Sequence, residues 1–219
     1  MKPLADCRLY AFIDSAYLNG RTPAELAQLL VDGGADILQL RAKDWPEEDI
    51  REAAEAMLPI TRAAEIPLVI NDHWALASEL GAEFCHLGQE DFFETDDDPT
   101  PELAFPGPQL GLSSHAPGQA EAALEEDADY IAIGPVYPTP TKPGRPGVTL
   151  DYVRWAAEHL RDCPWFAIGG LTLDNVDDVL AAGARRICVV SAILNASDPA
   201  RACQQFKERL ASVPLEERN

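Results

Sequence analysis

Eight short apolar runs, alternating with segments of helical periodicity, predict an α/β chain folded as a single (β/α)8 TIM barrel with parallel strands. Three observations carry the prediction. The runs number eight. Each is continuously apolar, the character of a strand covered on both faces. One helix-to-strand turn is reused, as Gly34-Ala35-Asp36, Gly81-Ala82-Glu83 and Gly183-Ala184-Arg185.

In chain order the strands are read at Arg8 to Asp14, Asp36 to Arg41, Pro67 to Asn71, Phe84 to Gly88, Gln109 to Ser113, Tyr130 to Gly134, Trp165 to Gly169 and Arg186 to Ser191. Helical spacing marks Thr22 to Asp32, Pro46 to Ala64, Pro117 to Asp127, Leu150 to Leu160, Leu173 to Ala182 and Pro199 to Leu210, with a further helix-like run from near His73. Gly33-Gly34, Gly81 and Gly183 stand where helix-ending glycines belong, just before the second, fourth and eighth strands. The acidic, proline-containing stretch from Asp91 to Pro108 is the least regular, and Thr95 to Thr100 reads as a solvated spacer. An open doubly wound sheet is the alternative topology. No G-x-G-x-x-G follows the first strand to support a dinucleotide fold.

A chain of 219 residues, 47% hydrophobic, suffices for one domain over 1–219. Its formal net charge of -20 argues against nucleic acid or an anionic membrane as partner, so an anionic ligand must be held by local cations and a metal. Met1 to Asp6 lacks the blocks of a secretory signal and no apolar run nears the roughly 18 residues of a membrane span, which reads as cytoplasmic. Cys7, Cys85, Cys163, Cys188 and Cys203 are odd in number and form no C-x-x-C, so neither a disulfide framework nor a zinc site is expected. His86 and His73 lack the spacing of a zinc motif.

In such a barrel the residues that close different strands converge at one end. Strand alternation sends Gln39 and Arg41 inward and Leu40 outward, and Lys43 follows just beyond. A fork and a point charge together suit a phosphate or diphosphate. The plain alternative is a set of rim salt bridges from Arg41 and Lys43 to Asp44, Glu47 or Asp72. Asp72 and Asp91, beside Asn71 and Gln89, close neighbouring strands and supply the hard oxygens that suit Mg2+; for Asp72 a helix N-cap is the competing role. Thr139, Pro140, Thr141 and Lys142 form a proline-stiffened loop able to wrap an anion. Gly169-Gly170 and Val190-Ser191 occupy the usual phosphate corner of this fold, with tight strand-on-helix packing as the bland alternative. Two anion pockets emerge.

Taken in order, Gln39 to Lys43, Asn71-Asp72, Gly88-Gln89-Glu90-Asp91, Gly111-Leu112-Ser113-Ser114-His115, Pro138 to Lys142, Gly169-Gly170 and Val190-Ser191 resemble the thiamine phosphate synthase family over almost the whole chain. The resemblance implies that Gln39, Leu40, Arg41, Ala42, Lys43, Asn71, Ser113 and Lys142 hold a pyrimidine diphosphate. It implies further that Thr139, Pro140, Thr141, Gly170, Val190 and Ser191 hold a thiazole phosphate, and that Asp72 and Asp91 bind one Mg2+. Arg41, Lys43, Ser113 and Lys142 would then stabilise the leaving diphosphate. Ala42 stands where the family often has an acid, and Pro143 to Gly147 is unusually stiff. A thiazole tautomerase-like paralogue using His115 and a non-catalytic thiamine phosphate sensor are the competing expectations. A homodimer is the default for such a barrel.

Overall fold

In the computed structural model, which describes residues 1–93, 107–139 and 147–215, eight parallel strands close into a barrel in sequence order, β1 pairing with both β2 and β8. The strands are β1 (Leu9–Asp14), β2 (Ile37–Arg41), β3 (Leu68–Asn71), β4 (Phe84–Leu87), β5 (Gln109–Ser114), β6 (Tyr130–Ile133), β7 (Trp165–Ile168) and β8 (Ile187–Val189). Each stands where its apolar run predicts, trimmed or extended by one or two residues. The helices are α1 (Pro23–Asp32), α2 (Glu47–Ala63), α3 (Trp74–Leu80), α4 (Gln89–Phe93), α5 (Pro117–Glu125), α6 (Thr149–His159), α7 (Val176–Ala181), α8 (Ser191–Leu194) and α9 (Pro199–Ala211).

Local chemistry sets the helix ends. Thr22 and Glu25 form a reciprocal capping box before Pro23, and α1 lays Leu26, Ala27 and Leu30 on the barrel. Asp198 accepts from the Arg201 amide to start α9, which buries Cys203, Phe206 and Leu210. Two expectations are corrected here. The irregular reading from Asp91 begins inside the short helix α4, and Thr95 to Thr100 lie outside the described residues. Asp72 does not cap α3: the N-cap position is His73, which makes no side-chain cap bond.

The reused turn has a physical reason. Gly34, Gly81 and Gly183 take φ of +84°, +66° and +113°, and Asp127 takes the same place before β6 at +53°. Two residues later an acid reaches the preceding strand and accepts its leading amides, which strand pairing leaves over. Asp36 accepts from Arg8 and Leu9 (2.9 Å each), Glu83 from Leu68 (2.9 Å) and Asp129 from Leu110 (2.7 Å). At the fourth copy the side chain in that place is the basic Arg185, and its carbonyl accepts from the Arg8 side chain beside β1, Nε at 3.1 Å.

Inside the barrel, Tyr10, Phe84, Tyr130 and Phe166 pack edge to face with ring centroids 5.4 to 5.9 Å apart. Gly111 makes room for them, because a Cβ there would run into the Tyr130 ring. All five cysteines are free thiols, with Cys85 and Cys188 buried in strands. Among the described residues no helix is long and apolar enough to cross a membrane.

Asp36 also ties the chain ends together. It is 3% exposed and receives the Lys207 ammonium of α9 (2.6 and 2.7 Å) and that of Lys2. Burial opposes its charge, yet the two ammonium groups and the Leu9 amide outweigh burial and hold the carboxyl below its usual range. Asp36→Ala should cost about 3 kcal/mol in urea unfolding, because it leaves two cations and two amides without their acceptor. With a folded pKa below the unfolded one, the Asp36 contribution is complete above about pH 4 and is lost as pH falls through the folded value. Unfolding curves at descending pH should therefore converge for the variant and the parent.

Candidate active site

An open cavity sits at the C-terminal ends of the strands. Its wall follows strand parity. Phe12 of β1, Gln39 and Arg41 of β2, Asn71 of β3, His86 of β4, Ser113 of β5 and Ala132 of β6 all point inward. Gly170, Val190, Ser191 and Thr139 complete the opposite side. Eight expected residues thus line one space: Gln39, Arg41, Asn71, Ser113, Thr139, Gly170, Val190 and Ser191. Leu40 and Ala42 do not; alternation turns their side chains into the layer between sheet and helices, where both are buried in the core. Pro140, Thr141 and Lys142 lie outside the described residues.

Arg41 does not take the alternative rim pairing. Its Nη1 donates to Asp14 Oδ2 at 2.7 Å, and Asp14, 1% exposed, also accepts from the Ala16 amide. The facing register Asp14 to Arg41 puts the carboxylate beside the guanidinium. A buried acid therefore fixes the arginine in place, while its remaining N–H groups stay available to a ligand. Asp14 was legible as the last inward residue of β1, two beyond Phe12, but not as the partner of Arg41.

Lys43 does follow the rim alternative in part: its Nζ lies 3.3 Å from Asp72 Oδ2 and 3.8 Å from Asp91 Oδ2. Both carboxylates consequently face one point. Asp72 gets there from a left-handed backbone, φ +66°, its amide donating to the His86 carbonyl at 2.9 Å. Asp91 lies back over Gly88, where any Cβ would collide with its Oδ2. Among the described residues no group of three or more His, Cys, Asp or Glu gathers as a metal cage. Mg2+ needs less: it commonly takes one or two protein carboxylates and completes its shell with water and phosphate oxygens, so this convergent pair fits it.

A chain of hydrogen bonds forms the floor. Gln39 Nε2 donates to Tyr10 Oη (2.5 Å), Tyr10 Oη meets Tyr130 Oη (2.9 Å), Tyr130 Oη meets His86 Nδ1 (3.1 Å) and His86 Nε2 meets Ser113 Oγ (3.0 Å). Burial pushes both phenols well above their usual range. His86, considered from sequence only as a zinc ligand, is instead a link between strands. Burial also pushes up the thiol of Cys188, which lines the cavity as an inert group. His115 lines the cavity as well, its Nδ1 bonded to the Gly134 carbonyl and its amide to Gln119 Oε1.

On the far side, Gly169 and Gly170 take φ of +101° and +66°. A Cβ on Gly170 would come 2.8 Å from Tyr137 Cβ and 2.9 Å from the Pro138 carbonyl. The close packing foreseen there is thus real, but it is loop on loop: the segment after β6 lies against the end of β7. Asn175, missed from sequence, holds this corner, its Nδ2 donating to the Gly170 carbonyl (2.9 Å) and its Oδ1 accepting from the Thr172 amide (2.8 Å). Gly170→Ala should cost about 1–3 kcal/mol in thermal or urea unfolding, because the side chain both clashes with Tyr137 and strains the left-handed backbone.

A family model described as thiamine monophosphate synthase matches residues 9–193. A thiamine-phosphate synthase of Thermus thermophilus is 52% identical over 183 residues, 83% of this chain and 85% of that one. Its counterpart from Acidothermus cellulolyticus is 41% identical over 214 residues, 96% and 98% of the two chains. Among solved structures, a thiamine phosphate pyrophosphorylase of Pyrococcus furiosus superposes with a TM-score of 0.81 at 25% identity, covering 95% of this chain and 98% of the other. With the model spanning the barrel from β1 to α8 and relatives this similar over most of both chains, the chain belongs to the thiamine monophosphate synthase family.

Proposed function

We propose that the protein is a transferase that joins a pyrimidine diphosphate to a thiazole phosphate, giving thiamine phosphate and diphosphate; from the carboxylated thiazole phosphate the carboxyl group leaves as carbon dioxide as well. The observation that carries this reading is the convergence of Lys43, Asp72 and Asp91 just beyond the strands whose Arg41, Asn71 and His86 line the cavity, with Gly170, Val190 and Ser191 also in its wall. The first group suits a metal-bound diphosphate and the second a monophosphate. The electron-rich pyrimidine expels diphosphate, the C–O electrons leaving with oxygen, and the thiazole nitrogen lone pair then closes the new C–N bond. Such a reaction needs no protein nucleophile, and burial holds the Cys188 thiol in the wall protonated.

The residues act by position and charge. Arg41, aimed by Asp14, and Lys43 meet the departing diphosphate, and Ser113 gives it a hydrogen bond; Lys142 completes the same role in the proposal. Asp72 and Asp91 would hold Mg2+, which when bound supplies positive charge to the diphosphate oxygens. Asn71 and Gln39, with the backbone of Leu40 and Ala42, seat the pyrimidine. Thr139, Pro140, Thr141, Gly170, Val190 and Ser191 seat the thiazole phosphate. The setting is the cytoplasm and the unit a homodimer. The tautomerase and sensor readings have less behind them, because neither requires the paired carboxylates and the Arg41 and Lys43 cations at one mouth.

Purified protein given both substrates and Mg2+ should form thiamine phosphate, read by fluorescence after oxidation to its thiochrome. Chelation should stop the reaction and added Mg2+ restore it. Folded protein that binds the thiazole phosphate but makes no product would overturn the reading in favour of the sensor or the tautomerase. Asp72→Ala should retain its circular dichroism and melting behaviour while kcat falls about 10²-fold or more. Undiminished turnover of that variant at limiting Mg2+ would remove the metal assignment.

A further inference from the structure

The floor of the cavity holds five polar side chains from five strands, and the Gln39 Nε2 bond to Tyr10 orders the protons of the others. Gln39, Tyr10, Tyr130, His86 and Ser113 are all at most 8% exposed, so each must satisfy its polar atoms within the barrel. A protonated phenol has one hydrogen to give. Burial keeps both tyrosines protonated. The Tyr10 oxygen is occupied as an acceptor by Gln39 Nε2, so its own hydrogen goes to Tyr130 Oη. Tyr130, having accepted, gives its hydrogen to His86 Nδ1. A ring nitrogen that accepts carries no proton, so the proton of His86 is on Nε2, directed at Ser113 Oγ. Ser113, having accepted, has one hydrogen left to donate and faces the cavity.

We infer that Tyr10 and Tyr130 are positioning residues: through His86 they polarise Ser113 so that its hydroxyl presents a hydrogen, not a lone pair, to an anion in the cavity. Gln39 decides the direction. With its amide turned to present Oε1, every bond in the chain would run backwards, the His86 proton would move to Nδ1, and Ser113 would spend its hydrogen on His86 and offer the cavity only lone pairs. A serine oxygen facing a diphosphate with lone pairs alone would repel it; the inferred order makes Ser113 a donor whose partners are set before any ligand arrives. The tyrosines touch no reacting atom, and their contribution travels 120 residues along the sequence but only two hydrogen bonds in space, from Tyr10 through Tyr130 to His86.

This inference rests on the reading that Ser113 faces the leaving diphosphate, but its first test does not. Nitrogen-15 NMR of the ligand-free protein, labelled in histidine, should show His86 as the Nε2-protonated tautomer with Nδ1 as an acceptor. Observation of the Nδ1-protonated form would overturn the relay even if turnover is normal. A pure Nε2-protonated signal in a protein without turnover would support the relay while sinking the functional reading. The second test is a cycle of Ser113→Ala with Tyr130→Phe, a change that removes one hydroxyl and little volume. Tyr130→Phe should mix the His86 tautomers and lower kcat about tenfold with a smaller change in KM for the pyrimidine diphosphate. The double variant should be no slower than Ser113→Ala alone, whereas independent, multiplying losses would contradict the relay. Should Tyr130→Phe fail to fold, Tyr10→Phe removes the link one step further away and is expected to show the same tautomer mixing.

Discussion

A closed parallel barrel has no edge and almost no water inside, so any polar side chain its strands point inward must find its partner on another strand. That requirement shapes this molecule from one mouth to the other. In the middle layer it is met by aromatic packing with two hydroxyls, Tyr10 and Tyr130, bonded to each other. One layer higher, His86, Gln39 and Ser113 close the same network. Higher still, Asp14 neutralises Arg41 at the edge of the cavity. The site is the place where this satisfied interior runs out of internal partners and turns its donors to the mouth.

The electrostatics follow from the same arrangement. A chain of formal charge -20 is a poor host for phosphates in general. It solves the problem locally. Arg41 is anchored by a buried carboxylate rather than left to the solvent, and Lys43 stands between the two aspartates. Because Lys43, Asp72 and Asp91 are partly exposed, their ion pairs contribute little to stability. They can therefore exchange partners at small cost, as the proposed binding of a metal and a diphosphate there would require. Across the cavity the glycine pair of β7 and the start of α8 offer backbone in place of charge. The two sides differ as the two proposed ligands do.

Much of this was legible in the residues. Continuous apolar runs located all eight strands, and the turn built on Gly34, Gly81 and Gly183 announced the repeat, because left-handed backbone before a strand has few solutions. Strand parity correctly separated Gln39 and Arg41 from Leu40. What parity could not supply was pairing between distant strands. Asp14 was read merely as the end of β1, and the rim acids weighed as alternative partners for Arg41 all lay after it in sequence, whereas its partner lies across the β1–β2 register. Tyr10 and Tyr130 looked like ordinary core, since nothing in a hydropathy pattern distinguishes a buried tyrosine from a buried phenylalanine until its hydroxyl meets another. Asn175 escaped because its two bonds are to main-chain groups of a preceding loop. The Asp72 cap was a reasonable competing role; the N-cap instead falls at His73, and Asp72, with a left-handed φ, turns its carboxylate to Lys43.

The central claim is that the mouth between Asp72 and Asp91 joins a divalent cation to a diphosphate held by Arg41 and Lys43. A crystal grown with Mn2+ in place of Mg2+ and with the pyrimidine diphosphate would test it most directly, since anomalous scattering locates the metal without assumption. The account requires a single peak within coordinating distance of both carboxylates and of diphosphate oxygens, with Lys43 moved off the aspartates toward the phosphate. A diphosphate bound at the Gly170 and Ser191 side, or a metal peak away from Asp72 and Asp91, would contradict it.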